Sequence, residues 1–208
     1  MSASGLVRWG ALSAILGGAL LVISDLWGLL MEGFGGGEQP FSEVARTPSF
    51  AITAGLSLLS AVLILFGLVG LHLRQAETAG ALGWVGFLIA FLGTALVAGV
   101  SWAIFFVTPS IAVEAPEFLD TEQPPGILNA GFILTFLIFG AGWALFGIAA
   151  LRARTYPRWV AIVLIVAALI QVLPFPGTAL AFGVAVALVG FFALTRGRVS
   201  EEQPSRVR

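Results

Sequence analysis

Long apolar stretches separated by short polar gaps dominate this chain. Six of them, Leu6–Leu30, Ser49–Leu73, Leu82–Val107, Ile127–Leu151, Arg158–Leu173 and Gly177–Leu194, consist mostly of Leu, Ala, Val, Ile, Phe and Gly. A membrane-spanning helix needs about 20 such residues, and only helices or closed barrels satisfy a backbone inside lipid. The pattern therefore predicts an all-α polytopic bundle of six transmembrane helices, forming one domain over 1–208. Thr47-Pro48 reads as an N-cap with proline in the first turn, and Pro124-Pro125 marks the start of the fourth span in the same way. The fifth span is short, about 24 Å at 1.5 Å per residue. The proline-broken turn Leu173-Pro174-Phe175-Pro176-Gly177 follows it. Short or proline-interrupted spans point to binding sites in transporters; here they predict a depression on the external face with Gln171 near its floor.

Charge gives the spans a direction. Numbering the gaps puts Arg8, Arg74, Arg152, Arg154, Arg158, Arg196, Arg198, Arg206 and Arg208 on one side. Arg46 lies opposite, with Glu32, Glu38, Glu43, Glu114, Glu117, Asp120 and Glu122. The positive-inside rule then predicts a multi-pass membrane protein with both termini cytoplasmic and the acidic loops outside. Trp9, Trp84 and Trp159 fall near cytoplasmic helix ends and Trp27 and Trp102 near external ones, as an aromatic belt requires, while Trp143 lies deeper and reads as a packing residue. Arg8 ahead of an apolar run and Val22-x-Ser24 resemble a signal peptide. The apolar run continues to Leu30, beyond the 7–15 residues usual for such a signal, so an uncut first helix is expected.

Composition narrows the chemistry. With 59% hydrophobic and 10% charged residues in 208 positions, little is left for a soluble catalytic domain. Cysteine and lysine are absent, which removes disulfides, thiolate metal sites and a lysine Schiff base. A single histidine, His72, excludes multi-histidine metal centres and bis-histidine haem within one chain. No basic cluster with interleaved aromatics suggests nucleic acid. No His-Glu-x-x-His motif, no Gly-x-Ser-x-Gly with a usable base and no paired intramembrane carboxylates occur. The expectation is a protein without enzymatic activity, metal or cofactor, whose partners are the lipid bilayer and either another membrane protein or further copies of itself.

Polar residues inside spans cost free energy and are the first candidates for a site. Asp25 is the one acidic residue within a span. Ser49, Thr53, Ser57 and Ser60, spaced four, four and three, put four hydroxyls on one helix face. Asp25, Thr53, Ser57, Ser101, Asn129, Thr135 and Gln171 all fall in the outer half of the bilayer, whereas the inner half offers little beyond terminal arginines. A channel or proton pump needs polar groups across the whole thickness. An outward-facing crevice is the reading instead, with Asp25, Thr53, Ser57, Ser101, Asn129 and Gln171 as candidate ligand-binding residues. It serves either a binding protein for a partner or lipid-like ligand, or a small secondary transporter using the crevice near Asp25. Gly10-Ala14-Gly18 and Gly86-Ala90-Thr94-Ala98 are small residues at intervals of four, expected at helix contacts. The glycine run Gly33–Gly37 lacks the Gly-Lys-Ser/Thr ending of a phosphate loop. The acidic loop Thr108–Gly126 lacks the order of a calcium loop and reads as solvated.

Leu65-Phe66-Gly67, with Leu71, Arg74 and Trp84-Val85 following, is echoed by Leu145-Phe146-Gly147, with Leu151, Arg154 and Trp159-Val160 following. The match reads either as a parallel duplication or as the product of similar composition. The run Gly142-Trp143-Ala144-Leu145-Phe146-Gly147, then Arg152-Ala153-Arg154-Thr155-Tyr156-Pro157-Arg158-Trp159, resembles a pattern in uncharacterised small six-helix integral membrane proteins of high-GC bacteria. The exclusive use of arginine agrees with a GC-rich genome. The resemblance covers about a third of the chain; it implies fold and compartment and carries no catalytic residue.

Overall fold

A computed structural model describes residues 3–32, 39–121, 125–173, 175 and 177–201. The glycine run 33–37 and Glu38, Glu122, Pro124, Pro174, Pro176, Arg206 and Arg208 lie outside the described residues, as do the side chains of Glu32, Arg196 and Arg198. The described chain is all-α: α1 (Ala3–Glu32), α2 (Phe41–Val44), α3 (Pro48–Phe106), α4 (Thr108–Glu114), α5 (Pro116–Leu119), α6 (Gly126–Ala153), α7 (Arg158–Ile170) and α8 (Thr178–Glu201).

Four helical stretches are long and apolar enough to cross a membrane, not six: Ser4–Met31, Pro48–Glu114, Gly126–Ala153 and Thr178–Thr195. The expected spans at 49–73 and 82–107 run together as α3, a single element of 59 residues. The expected span at 158–173 is a helix of 13 residues, about 20 Å long and short of the ~30 Å hydrocarbon core.

α3 is not straight. Gly80 interrupts it at φ 56°, ψ −152°, a region open essentially to glycine alone. His72 stacks on Phe87 with ring centroids 4.1 Å apart. A Cβ on Gly55 would sit 3.2 Å from the Phe105 ring. The limbs 48–79 and 81–106 therefore fold back on each other as an antiparallel hairpin. Thr47 caps the first limb as its sequence predicts, accepting the Phe50 N–H at 3.2 Å. α6 ends on Arg154 in the left-handed conformation, φ 54°, with its N–H turned back to Leu151 O.

The elements close into a ring. α1 packs on α3 and α8, α6 packs on α3 and α7, and α7 packs on α8. Small residues set these distances, because they let the helix backbones approach closely. A Cβ on Gly67 would lie 2.8 Å from Ala14 Cα, one on Gly86 2.8 Å from Phe146 N, and one on Gly18 2.8 Å from Ala187 N. Gly10 meets the Gly70 backbone, and Gly142 meets that of Ala90. Thr94 binds Trp143, and Ala98 is half-buried. Both predicted small-residue stripes are thus used largely inside the chain. The core they enclose centres on Trp143, fully buried among Phe139, Phe146 and Phe182. Trp9, Trp27, Trp84, Trp102 and Trp159 are exposed, unlike Trp143, which the sequence reads as a packing residue.

Candidate functional site

The two ends of the bundle differ in chemistry. The turns at Gly80 and at Arg154 form an arginine-rich end, with Arg74, Arg152, Arg154 and Arg158. The end where α3 begins carries Glu43, Glu114, Glu117 and Asp120. A cavity of about 300 Å³ lies inside the half toward the acidic end, at the lower edge of the ~300–1,000 Å³ usual for small-molecule sites. Its polar wall is the hydroxyl face of the first α3 limb, Thr53, Ser57 and Ser60, together with Ser101 and Gln171. Its apolar wall includes Phe136 and Phe139 of α6 and Phe182 of α8. Phe139 and Phe182 meet edge-to-face at 4.8 Å, so this wall is continuous with the Trp143 core.

Four of the six candidate ligand-binding residues, Thr53, Ser57, Ser101 and Gln171, line this cavity. Asp25 and Asn129 do not. The Asp25 carboxylate accepts the backbone N–H of Leu180 at 2.8 Å, in the first turn of α8, where an anion meets unpaired N–H groups and the positive end of the helix dipole. It serves as a capping group supplied by another helix. Asn129 is exposed on the first turn of α6. Every residue of 126–134 is exposed, so the start of α6 stands clear of the bundle. Thr135, also singled out in the sequence, is buried.

A network the sequence did not reveal holds the polar wall. Ser24, buried on α1, donates to Thr53 O at 2.9 Å and lies 2.7 Å from Ser57 Oγ. Ser60 donates to Gly17 O at 2.7 Å. The available signal was the interval of seven between Gly17 and Ser24, which puts both on the α1 face that meets α3.

Comparison with protein-family models, curated proteins and solved structures gives no match. The chemistry therefore rests on the residues themselves.

The acidic end is built, not merely solvated. Asp120 accepts the Ser42 N–H at 2.8 Å and the Ser42 hydroxyl at 2.7 Å, and Arg46 donates through both Nε and Nη2 to Ala112 O. These contacts tie α2, α4 and α5 over a small core of Ala45, Phe50, Ala54 and Ala112, against which Ile104 packs. Phe50 and Ile104 also line the cavity, so this roof forms one of its ends. The two hydrogen bonds from Ser42, backbone first, hold the Asp120 carboxyl below its usual 3.8, with Arg46 adding attraction. A lowered folded-state pKa means that the clasp contributes fully above the ordinary value and is lost as pH falls through the depressed one. Protection of the Ser42 amide from hydrogen exchange, corrected for the intrinsic rate, is expected to stay flat from pH 5 to 8 and to fall below about 3.8. In Asp120→Asn that acid limb should vanish; an unchanged limb would assign the transition to another group.

The arginine-rich end holds buried polar groups that the sequence reading did not expect. His72, Gln75 and Tyr156 are almost fully buried, and the polar side-chain atoms of all three lack a hydrogen-bond partner among the described residues. Burial pushes the Tyr156 phenol well above its ordinary range, against the opposing effect of Arg74. Gln75 lies one helical turn beyond His72, a spacing visible in the sequence; Tyr156 lies in the α6–α7 turn and gives no such signal. Among the described residues, no group of three or more His, Cys, Asp or Glu side chains is placed to hold a metal ion.

Proposed function

We propose that this is a non-enzymatic integral membrane protein of a bacterial cytoplasmic membrane that holds a small hydrophobic or lipid-like molecule in its acidic-end half. The single observation behind this reading is the cavity of about 300 Å³, with hydroxyls along one wall and phenyl rings along the other. A site with apolar walls and a few convergent polar groups is the usual form of a small-molecule pocket. In this reading the chain crosses the bilayer six times, each limb of α3 and the short α7 counting as a crossing, with both termini cytoplasmic. The Gly80 hairpin and the gathering of arginines at one end support that topology.

Two features behind the other readings are used differently here. The small-residue stripes motivated a partner subunit, and most of their residues now meet other helices of the same chain. The transporter alternative rested on Asp25, which caps α8 and is absent from the cavity wall.

The test is native mass spectrometry of the protein carried from its own membrane in lipid nanodiscs. A discrete bound mass is expected in the wild type and in Asp25→Asn. Its loss is expected in Ser57→Leu and Ala61→Phe, which fill the cavity from its hydroxyl wall. Empty wild-type protein travelling with a second polypeptide would sink the reading and make the chain a subunit.

A further inference from the structure

The α6–α7 turn is a firm mount for charge. The Arg154 N–H returns to Leu151 O and the Thr155 N–H to Ala150 O, the paired bonds of a helix ended by a left-handed residue. Tyr156 within the turn is buried, and Pro157 leads directly into α7. Three arginines, Arg152, Arg154 and Arg158, are carried on this mount. All three are exposed, and none of their guanidinium groups has a hydrogen-bond or ion-pair partner among the described residues. Arg74 differs, since it donates to Ala193 O at 2.7 Å. Among the described side chains, Glu77 is the one carboxylate at this end of the bundle.

Arg154 is out of place for the fold alone. It holds φ 54°, in the left-handed region that glycine enters without strain and other residues do not. Glycine would end α6 more easily. An arginine kept at a strained position points to a task for its side chain.

The seam between α6 and α7 joins these charges to an apolar groove. A Cβ on Gly147 would lie 2.7 Å from Ile165 Cγ1, and one on Gly140 2.9 Å from Ala168 O. Continued along this antiparallel pair, that register sets Arg152 level with Arg158. On α6, Leu137, Ala141, Leu145, Ile148 and Arg152 follow at intervals of four, four, three and four, and so share one outward face. On α7, Arg158, Ile162, Val166 and Leu169 do the same, and all four are exposed. Each strip is apolar along its length and ends in an arginine. Exposed Trp159, next to Arg158, is the kind of ring that settles at head-group level.

We propose that the α6–α7 seam binds an anionic phospholipid, its phosphate held by Arg152, Arg154 and Arg158 and its chains laid along the two apolar strips. Guanidinium groups are planar forks that match phosphate oxygens, and basic pockets beside transmembrane helices on the cytoplasmic side gather anionic head groups. A zwitterionic lipid brings the same chains and phosphate but sets its own cation against the arginines. The site needs the chain to lie in a bilayer, as read above, and is independent of what the cavity holds.

Native mass spectrometry of delipidated protein in detergent, titrated with dioleoyl phosphatidylglycerol or dioleoyl phosphatidylcholine, tests it. Phosphatidylglycerol is expected to bind about tenfold more tightly at low salt, and added salt should narrow the gap. Arg152→Gln combined with Arg158→Gln should remove most of that preference. Arg8→Gln, which removes another exposed charge at the same end, should keep it. Arg154→Gly should melt no lower than wild type without lipid, yet lose phosphatidylglycerol affinity several-fold. Equal binding of the two lipids by wild type would overturn the proposal. So would a loss in Arg8→Gln as large as in the seam variants, which would mean diffuse charge, and so would unchanged affinity in Arg154→Gly. Millimolar glycerol 3-phosphate should not displace the lipid; displacement would make this a site for a soluble phosphate instead.

Discussion

Gly142→Leu is expected to abolish the folded bundle, leaving aggregated or detergent-expanded protein on size-exclusion chromatography. α6 and the second limb of α3 meet at backbone distance: Gly142 faces the Ala90 backbone, and a Cβ on Gly86 would lie 2.8 Å from Phe146 N. A side chain at 142 meets main chain rather than a flexible neighbour, so relief requires moving one helix away from the other. That separation would also break the Trp143–Thr94 hydrogen bond and open the aromatic core. The cost should exceed the roughly 1–3 kcal/mol typical of overpacking. Gly131→Leu is the control, since a Cβ there meets nothing within 4 Å; it should elute and melt as wild type. A Gly142→Leu protein with an unchanged melting temperature would show that the two helices do not touch as described.

Trp143→Ala is expected to cost about 3–5 kcal/mol, the range for emptying a fully buried large aromatic site. Its indole is 0% exposed and contacts Phe146 at 5.7 Å and Phe182 at 5.2 Å between ring centroids. Two milder variants separate packing from polarity. Thr94→Val keeps the volume but leaves the indole N–H buried and unpaired, at about 1–3 kcal/mol. Trp143→Phe removes that donor and part of the ring. The double variant should be less destabilised than the sum of the singles, because its apolar pair leaves no orphaned indole N–H. Denaturation in mixed micelles measures all three; strict additivity would mean that the hydrogen bond contributes nothing.

What the sequence made legible is what depends on neighbours along one helix. Thr47-Pro48 announced the start of α3, the intervals of four and three between Thr53, Ser57 and Ser60 announced a hydroxyl face, and the depth of Trp143 set it apart from the belt. Such features follow from helical periodicity alone. What stayed hidden depends on pairing across the fold. Asp25 reads as a solitary acid until Leu180, 155 positions away, supplies its N–H. Asp120 reads as one solvated charge among several until Ser42, 78 positions away, takes both its oxygens. Ser24 comes to support the cavity wall, through Thr53 and Ser57, only because α1 lies against α3. Asn129 was picked for its expected depth alone, but its turn of α6 stands away from the bundle, and depth cannot report that. Gly80 is one glycine among 26; nothing local distinguishes the one that reverses the chain from those that let helices touch.

The ring is sealed by α1 and α8. A Cβ on Gly183 would lie 2.7 Å from Gly18 O and one on Gly190 2.8 Å from Ala11 O, and the cap on α8 comes from Asp25. The α3 hairpin and the α6–α7 pair join segments close in sequence and have short loops to close, whereas this seam joins segments far apart. During biosynthesis α1 therefore leaves the ribosome with the face around Ala11 and Gly18 uncovered and with the Asp25 carboxylate, their partners on α8 not yet made. Until α8 arrives, some other surface must cover that face, and maturation waits on the last of the described helices rather than on the first hairpin to form.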